Sequence, residues 1–458
     1  MNPEPLQPEA HGPLANLERK DRDERIKAFL LTLARRTQTN EKAAQTIAMI
    51  LADRIADYWQ PALEASMQAA ESLGGDEEIY PVIDTVIAKS IREKPDLNLA
   101  AELYNRIPTD TVLLKQTALE IFRQTVKAMK ERNRVELYPA EYIAMVLNLV
   151  ARLTQTGESV EAEMYANEAL ELSRSHHTSE PEKFHDALCS SLETTALVAS
   201  GLGQREKSRE ARTEAINLMR GVPGQERNLA QSLNNLAGTL KDLGELDSAL
   251  EASREAVAIY RTLVPKEPRE TSTNYQEGLQ AWIDDPRPQF GEALVGLSSH
   301  QNDCKLHQES LASAKEAYEL FRGLSGDYPD QFRYHFGMAL HNLGMADFGV
   351  EDLDSGLKHM RESAKVLAAL VPANSEAYLP TYAHVLSSLT LAFAKHERNR
   401  EAIEPARECV DAYTRLNQLA PSLFKEQLTR NLENLKVLYD AEGMTDLATE
   451  TADRIKGL

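Results

Sequence analysis

The stretch LAQSLNNLAGTLKDLGELDSALEASREAVAIYRTLV, residues 229–264, decides the fold. Apolar and small residues recur in it at three- and four-residue spacing on both sides of Gly244, the period of two amphipathic helices joined by a short turn. Ala237, Leu240, Gly244, Ala249 and Ala256 mark its frame. Outward from this unit, the pair Glu255-Ala256 recurs as Glu168-Ala169, Glu214-Ala215, Glu316-Ala317, Glu362-Ser363 and Glu408-Cys409, with a last copy ending at Ile455.

The steps between these anchors are regular. From 169 to 215, 317 to 363, 363 to 409 and 409 to 455 each step is 46 residues. The step from 215 to 256 is 41, and that from 256 to 317 is 61, the common step with 15 residues inserted. Pro181, Pro268, Pro329 and Pro421 each follow an anchor by 12 residues. Proline at that place predicts the end of a second helix, because it lacks an N–H and clashes with the preceding turn. Anchor and proline together define seven two-helix units.

The small positions have a steric reason. Ala237 aligns with Ala196, Ser298 and Gly344, and Ala249 with Ala162, Ser208, Ser310, Gly356, Ala402 and Ala448. Two helices approach to about 8–10 Å only where the crossing side chains are short. Gly157, Gly203, Gly244 and Gly443 stand where the first helix of a unit must stop, a place that often needs positive φ. Lys305, Glu351 and Glu397 take that place in three units and predict looser turns there.

This pattern resembles the tetratricopeptide repeat, in the long-helix variety of kinesin light chains. The residues that carry the likeness are LNNLA (233–237), Leu243-Gly244, SALEASREAVAIYR (248–261), HNLG (341–344) and LDSGLKHMRESAKVL (353–367), and it extends over residues 137–458. It implies an all-α fold: a right-handed α-solenoid of about seven helical hairpins behind an N-terminal helical region. The expected organisation is a flexible Pro-rich tail over 1–16, a helical region over 17–135 that caps the array or holds degenerate repeats, and the solenoid over 136–458, with an insertion at about 265–289. Helices are expected in the N-terminal region over 20–36, 41–58, 62–73, 80–93, 97–106 and 111–131.

Composition narrows the function. Lys and Arg number 51 against 71 Asp and Glu, a formal charge of −20. Of this, −18 falls on residues 136–458 and −2 on the first 135. Such a balance disfavours nucleic acid, whose nonspecific binding depends on basic side chains. No apolar run approaches the roughly 18 residues of a membrane span, and no secretory signal is visible. Cys189, Cys304 and Cys409 are few and far apart, which fits a reducing cytoplasm. No Gly-rich phosphate loop and no GxSxG is present. The string His396-Glu397-Arg398-Asn399-Arg400 begins like a zinc-binding HExxH but has Arg at the second ligand. The pair His176-His177 reads as part of a loop, and Cys409 as a small packing residue. No catalytic residue, cofactor or metal is expected.

Binding is the remaining chemistry. Two residues before the small position of the first helix stand Asn148, Asn235, Asn342 and Asn434, with Thr194, Gly296 and Ser388 in the other units. Asn offers both donor and acceptor to an extended peptide backbone. The resemblance implies that the first helices line a concave face and that such asparagines hold a peptide there. The alternative is that each bonds the backbone of the neighbouring repeat. Gln231, Lys241, His341, Met345, Phe348 and His384 fall on turns facing the same way. The insertion adds Trp282 and Tyr275 as a second candidate contact. The reading is a noncatalytic scaffold or adaptor that binds a protein or peptide, a basic one if the groove is acidic, with no nucleic acid and no membrane. Two rivals stay open: a peptide-sensing regulator, and the repeat subunit of a signalling or defence assembly whose enzyme is a partner chain.

Overall fold

The structure, a computed structural model, describes residues 84, 88–89, 91–92, 115–265, 285–372, 375–419 and 421–458. These form helices and short connections, with no strand among the described residues. Two compact units result: one ends at Gly203, and the other runs from Gln204 to Leu458. The division falls within the stretch read as one repeat array. The sequence-expected helices before residue 111 lie outside the described residues, apart from the helical positions 84, 88–89 and 91–92.

The first unit holds α1 (Lys115–Glu131), the short α2 (Arg134–Leu137), α3 (Pro139–Gln155), α4 (Ser159–Ser179) and α5 (Pro181–Gly201). The buried carboxylate of Asp84 caps α1, accepting from the backbone N–H of Gln116 at 2.9 Å and of Thr117 at 2.7 Å. These donors lack intrahelical partners, so a cap from a distant residue fixes where α1 begins. Arg123 then ties α1 to α4 by bonding Glu158 and Glu161 at 2.7–3.0 Å, and it also holds the buried Glu120.

The second unit holds α6 (Arg205–Met219), α7 (Glu226–Asp242), α8 (Leu246–Leu263), α9 (Arg287–Asp303), α10 (His307–Asp327), α11 (Pro329–Gly349), α12 (Leu353–Ala368), α13 (Ser375–Lys395), α14 (Asn399–Leu419), α15 (Pro421–Ala441) and α16 (Thr445–Lys456). The 46-residue step has a simple origin. Helices α10 and α11 have 21 residues each, Tyr328 alone joins them, and residues 350–352 turn the chain into α12. One second helix, one link, one first helix and one turn fill the step.

The link is set by proline. Tyr138, Glu180 and Tyr328 have φ/ψ of −137/61, −133/70 and −136/71, and each precedes a proline. Steric clash with the proline ring drives the preceding residue out of the helical region. Pro139, Pro181 and Pro329 themselves stand at the first position of α3, α5 and α11. The proline therefore begins a first helix as well as ending a second, since its missing N–H is unpaired there anyway.

The turns inside the hairpins correct an expectation. Gly157, Gly203, Gly244 and Gly443 have φ of 71–81°, as predicted, but Lys305, Glu351 and Glu397 adopt φ of 57–65°. Their turns are not looser. Leu306 N–H donates to Gln301 O at 2.8 Å, Asp352 to Asp347 at 3.0 Å and Arg398 to Phe393 at 3.0 Å. Glu245 N–H makes the same bond to Leu240 O at 2.9 Å after Gly244. One left-handed residue and one such bond close the helix whichever side chain is present.

The helix crossings lie where the small residues predict. Ala237, Ala249, Ser298 and Ser310 are buried, and the two serine hydroxyls lie 3.1 Å apart. A Cβ on Gly344 would stand 2.9 Å from the Gly356 carbonyl oxygen, so the α11–α12 crossing admits only glycine without backbone movement. Cys409 is fully buried at the anchor position of α14, where Ser363 stands in α12, against Ala383 O, and burial pushes its thiol up to about 12. His176 and His177 lie in the last turn of α4, not in a loop, and His176 stacks on Phe184 at 4.8 Å.

Candidate functional site

Within the second unit the two sides of the stack differ. Each second helix packs on the following first helix, and first helices also meet one another directly: α7 meets α9, and α9 meets α11. The Tyr334 and Tyr378 rings lie 5.6 Å apart between α11 and α13, and Ser387 Oγ donates to Asn431 Oδ1 at 2.8 Å between α13 and α15. The second helices are instead joined by long ion pairs: Arg254–Glu309 at 2.7 Å, Arg261–Glu316 at 2.6 Å and Arg361–Glu401 at 2.9 Å. Close contact on one side and long bridges on the other turn the first helices toward the inside of the stack.

The anchor glutamates belong to this outer ladder. Glu316 takes Arg261 and Glu255 takes Arg220, each from the preceding hairpin. Glu408 instead accepts from Tyr382 at 2.7 Å, and in the first unit Glu168 accepts from Tyr142 and Lys130. The residue type that marks the repeat in sequence is thus a tie between elements, not a site.

On the inner face, four positions of each first helix lie off the hairpin crossings, Gly349 excepted, where a Cβ would come within 2.7 Å of His307 Nδ1. They hold Gln231, Asn235, Gly238 and Asp242 on α7, and Glu292, Gly296, Ser299 and Asp303 on α9. The same places hold Met338, Asn342, Met345 and Gly349 on α11, then His384, Ser388, Leu391 and Lys395 on α13, and Arg430, Asn434, Val437 and Ala441 on α15. Leu391 is 51% exposed and Val437 64%.

The asparagines do not bond the neighbouring repeat's backbone. Asn342 Nδ2 donates to Met338 O in its own helix at 3.1 Å, and Asn235 Oδ1 accepts from Gln231 Nε2 at 3.2 Å. Asn434, half-buried, makes no hydrogen bond among the described residues. In the first unit Asn148 is exposed and donates to Ala144 O of its own helix. Each keeps polar capacity for a ligand.

The other candidates divide. Gln231 is half-buried and accepts from Tyr260 Oη at 3.1 Å. Lys241 bridges α7 to α9, its Nζ 2.9 Å from Ser299 Oγ and 2.7 Å from Asp303. Phe348 turns away from the open face: its ring covers Gly356, where a Cβ would come within 2.3 Å of it. His341 is also withdrawn. It is buried with both ring nitrogens unpartnered, 5.4 Å between ring centroids from the exposed His384, and burial pulls its pKa down to about 4. Trp282 and Tyr275 lie outside the described residues, with residues 266–284 of the insertion; its last residues, 287–289, open α9.

The face is not uniformly acidic. Carboxylates gather on α7 and α9, at Asp242, Glu292 and Asp303, and Lys241 already pairs with Asp303. Helices α11 and α13 carry the apolar residues, with Lys395 at their edge. Of the row Met345, Leu391 and Val437, only the half-buried Met345 was singled out in the sequence. The row's signal was an apolar residue one place after the small position at 345, 391 and 437, two steps of 46.

Among the described residues no group of three or more His, Cys, Asp or Glu could hold a metal ion, and no helix is long and apolar enough to cross a membrane. Residues 187–262 match the family model of the tetratricopeptide repeat. The matched residues run from within α5 to α8, and the later hairpins of the second unit repeat the same two-helix pattern. No curated protein matches the chain. Solved structures similar to it include BtubC (BKLC) from P. vanneervenii, at 16% identity and TM-score 0.35 over 64% of this chain and 88% of that one. A putative kinesin light chain of Podosopora anserina with TPR-like repeats is similar at 16% identity and TM-score 0.34, over 52% of this chain and 96% of that one. A Rap protein complexed with competence and sporulation factor is similar at 12% identity and TM-score 0.40, over 82% of this chain and 96% of that one.

Proposed function

We propose that this chain is a noncatalytic scaffold that holds an extended segment of a partner protein or peptide along the inner face of its second unit. The observation that supports this is the amide row Asn235, Asn342 and Asn434, whose hydrogen bonds, where made, stay inside their own helices. An extended backbone brings unpaired N–H and C=O groups, and a carboxamide satisfies one of each. The buried thiols fit the same reading: burial pushes Cys189 up to about 11 and Cys409 to about 12, away from nucleophilic chemistry.

The test is Asn235→Ala with Asn342→Ala, assayed against a peptide selected from a random display library on the full chain. The double variant is expected to melt within about two degrees of the wild type and to bind about 30-fold more weakly, at about 1 kcal/mol per lost hydrogen bond. Unchanged affinity in a stable double variant removes these asparagines from the site.

A further inference from the structure

The inner face changes character along the second unit, and the change specifies an occupant. Met345, Leu391 and Val437 occupy one repeated position on three successive first helices, and the last two are more than half exposed. Single exposed apolar residues are ordinary, but a row aligned across three packed helices is a continuous strip. Helices that meet through their side chains are typically spaced by about 8–10 Å, and a row carried on successive helices repeats at about that interval. An extended or polyproline-type chain advances about 3.1–3.4 Å per residue, so its every third side chain meets the row. A helix in the groove would match the same interval only at every sixth or seventh residue, and its internally bonded backbone would have no use for the adjacent Asn342 and Asn434.

The other end is acidic. Asp242 is exposed and has no partner among the described residues, and Glu292 faces the imidazole of His335 at 3.1 Å. Asp303 is taken by Lys241. Helices α11 and α13 offer no carboxylate at the four open positions. A partner complementary to the whole strip therefore carries its positive charge at one end only.

We propose, resting on the groove reading above, that the occupant is an extended basic–apolar segment: apolar side chains three residues apart against Met345, Leu391 and Val437, and Lys or Arg over Asp242 and Glu292. Four helix-to-helix steps give it a span of about 40 Å, or about a dozen residues.

The experiment selects 16-residue peptides from a random display library on the full chain and titrates the enriched ones by fluorescence anisotropy. The proteins compared are the wild type, Leu391→Asp/Val437→Asp, Asp242→Lys/Glu292→Lys, and Asn235→Ala/Asn342→Ala, each with a thermal melt. Enriched peptides are expected to share apolar residues at i, i+3 and i+6 with Lys or Arg to one side. The aspartate pair is expected to weaken binding about 30-fold and the lysine pair about 10-fold, the latter loss shrinking in high salt. Should the aspartate pair fail to fold, Leu391→Ser/Val437→Ser replaces it with the same expectation at about 10-fold. Peptides that depend on Asn235 and Asn342 but not on Leu391 and Val437, or whose apolar residues recur at i and i+7, overturn the proposal and leave the groove reading standing. Peptides indifferent to both pairs, or a library that yields no binder, overturn both.

Discussion

The inner and outer faces of the second unit are made from the same repeat yet hold it together by different means. Outside, second helices are tied by exposed pairs such as Arg261–Glu316, long side chains that reach across a gap. Inside, first helices touch through rings and polar groups: Tyr334 against Tyr378, and Ser387 Oγ 2.8 Å from Asn431 Oδ1. Exposed ion pairs contribute about 0–1 kcal/mol each, whereas a disturbed buried contact costs several times that. Stability therefore concentrates where the helices meet. The open positions of the inner face vary in character, from Asp242 to Leu391.

Acid sharpens this contrast most. Burial pulls His300 and His341, both on first helices, down to about 4. In the unfolded chain both imidazoles take a proton near pH 6.5, so the unfolded state binds more protons below that pH. The stability from keeping them neutral is whole above pH 6.5 and is lost as pH falls toward 4. At pH 5 this amounts to about 2 kcal/mol for each imidazole. Thermal melts at pH 7.5 and 5 should show the loss, and His300→Gln/His341→Gln should flatten it.

A smaller effect probes a crossing. Gly344→Ala places a Cβ 2.9 Å from Gly356 O and should cost about 1–3 kcal/mol, read from urea midpoints. Glu351→Gly tests the turn that follows that first helix. It relieves a left-handed glutamate at φ 65°, so it should raise stability by up to about 1 kcal/mol, reduced by the added freedom of the unfolded chain. On the outer face, Arg261→Ala should change stability by less than about 1 kcal/mol, and less still in high salt. A large loss there would erase the distinction between the faces.

Much of the fold was legible because packing repeats itself. Ala249, Ser310 and Gly356 are small for a steric reason that returns every time two helices cross, and Gly244 marks a left-handed turn. The same left-handed turn at Lys305 was misread because the closing hydrogen bond belongs to the backbone and leaves no trace in the side chain. The site was less legible. Leu391 and Val437 stand at helical spacing, where an apolar residue ordinarily reads as core, and only the packing of neighbouring helices shows them exposed. Phe348 and His341 were expected on the open side of α11 but are claimed by Gly356 and by the α11–α13 contact, choices set by packing between helices.

Hydroxyl-radical footprinting of the full chain, with and without a library-selected peptide, tests most directly whether the first-helix face is the binding face. Met345 and Leu391 react readily when open, and Leu246 on α8 provides an exposed reference on a second helix. The groove account predicts protection of Met345 and Leu391 on peptide addition and an unchanged rate at Leu246. Protection on the second helices, with Met345 and Leu391 as reactive as before, would contradict it.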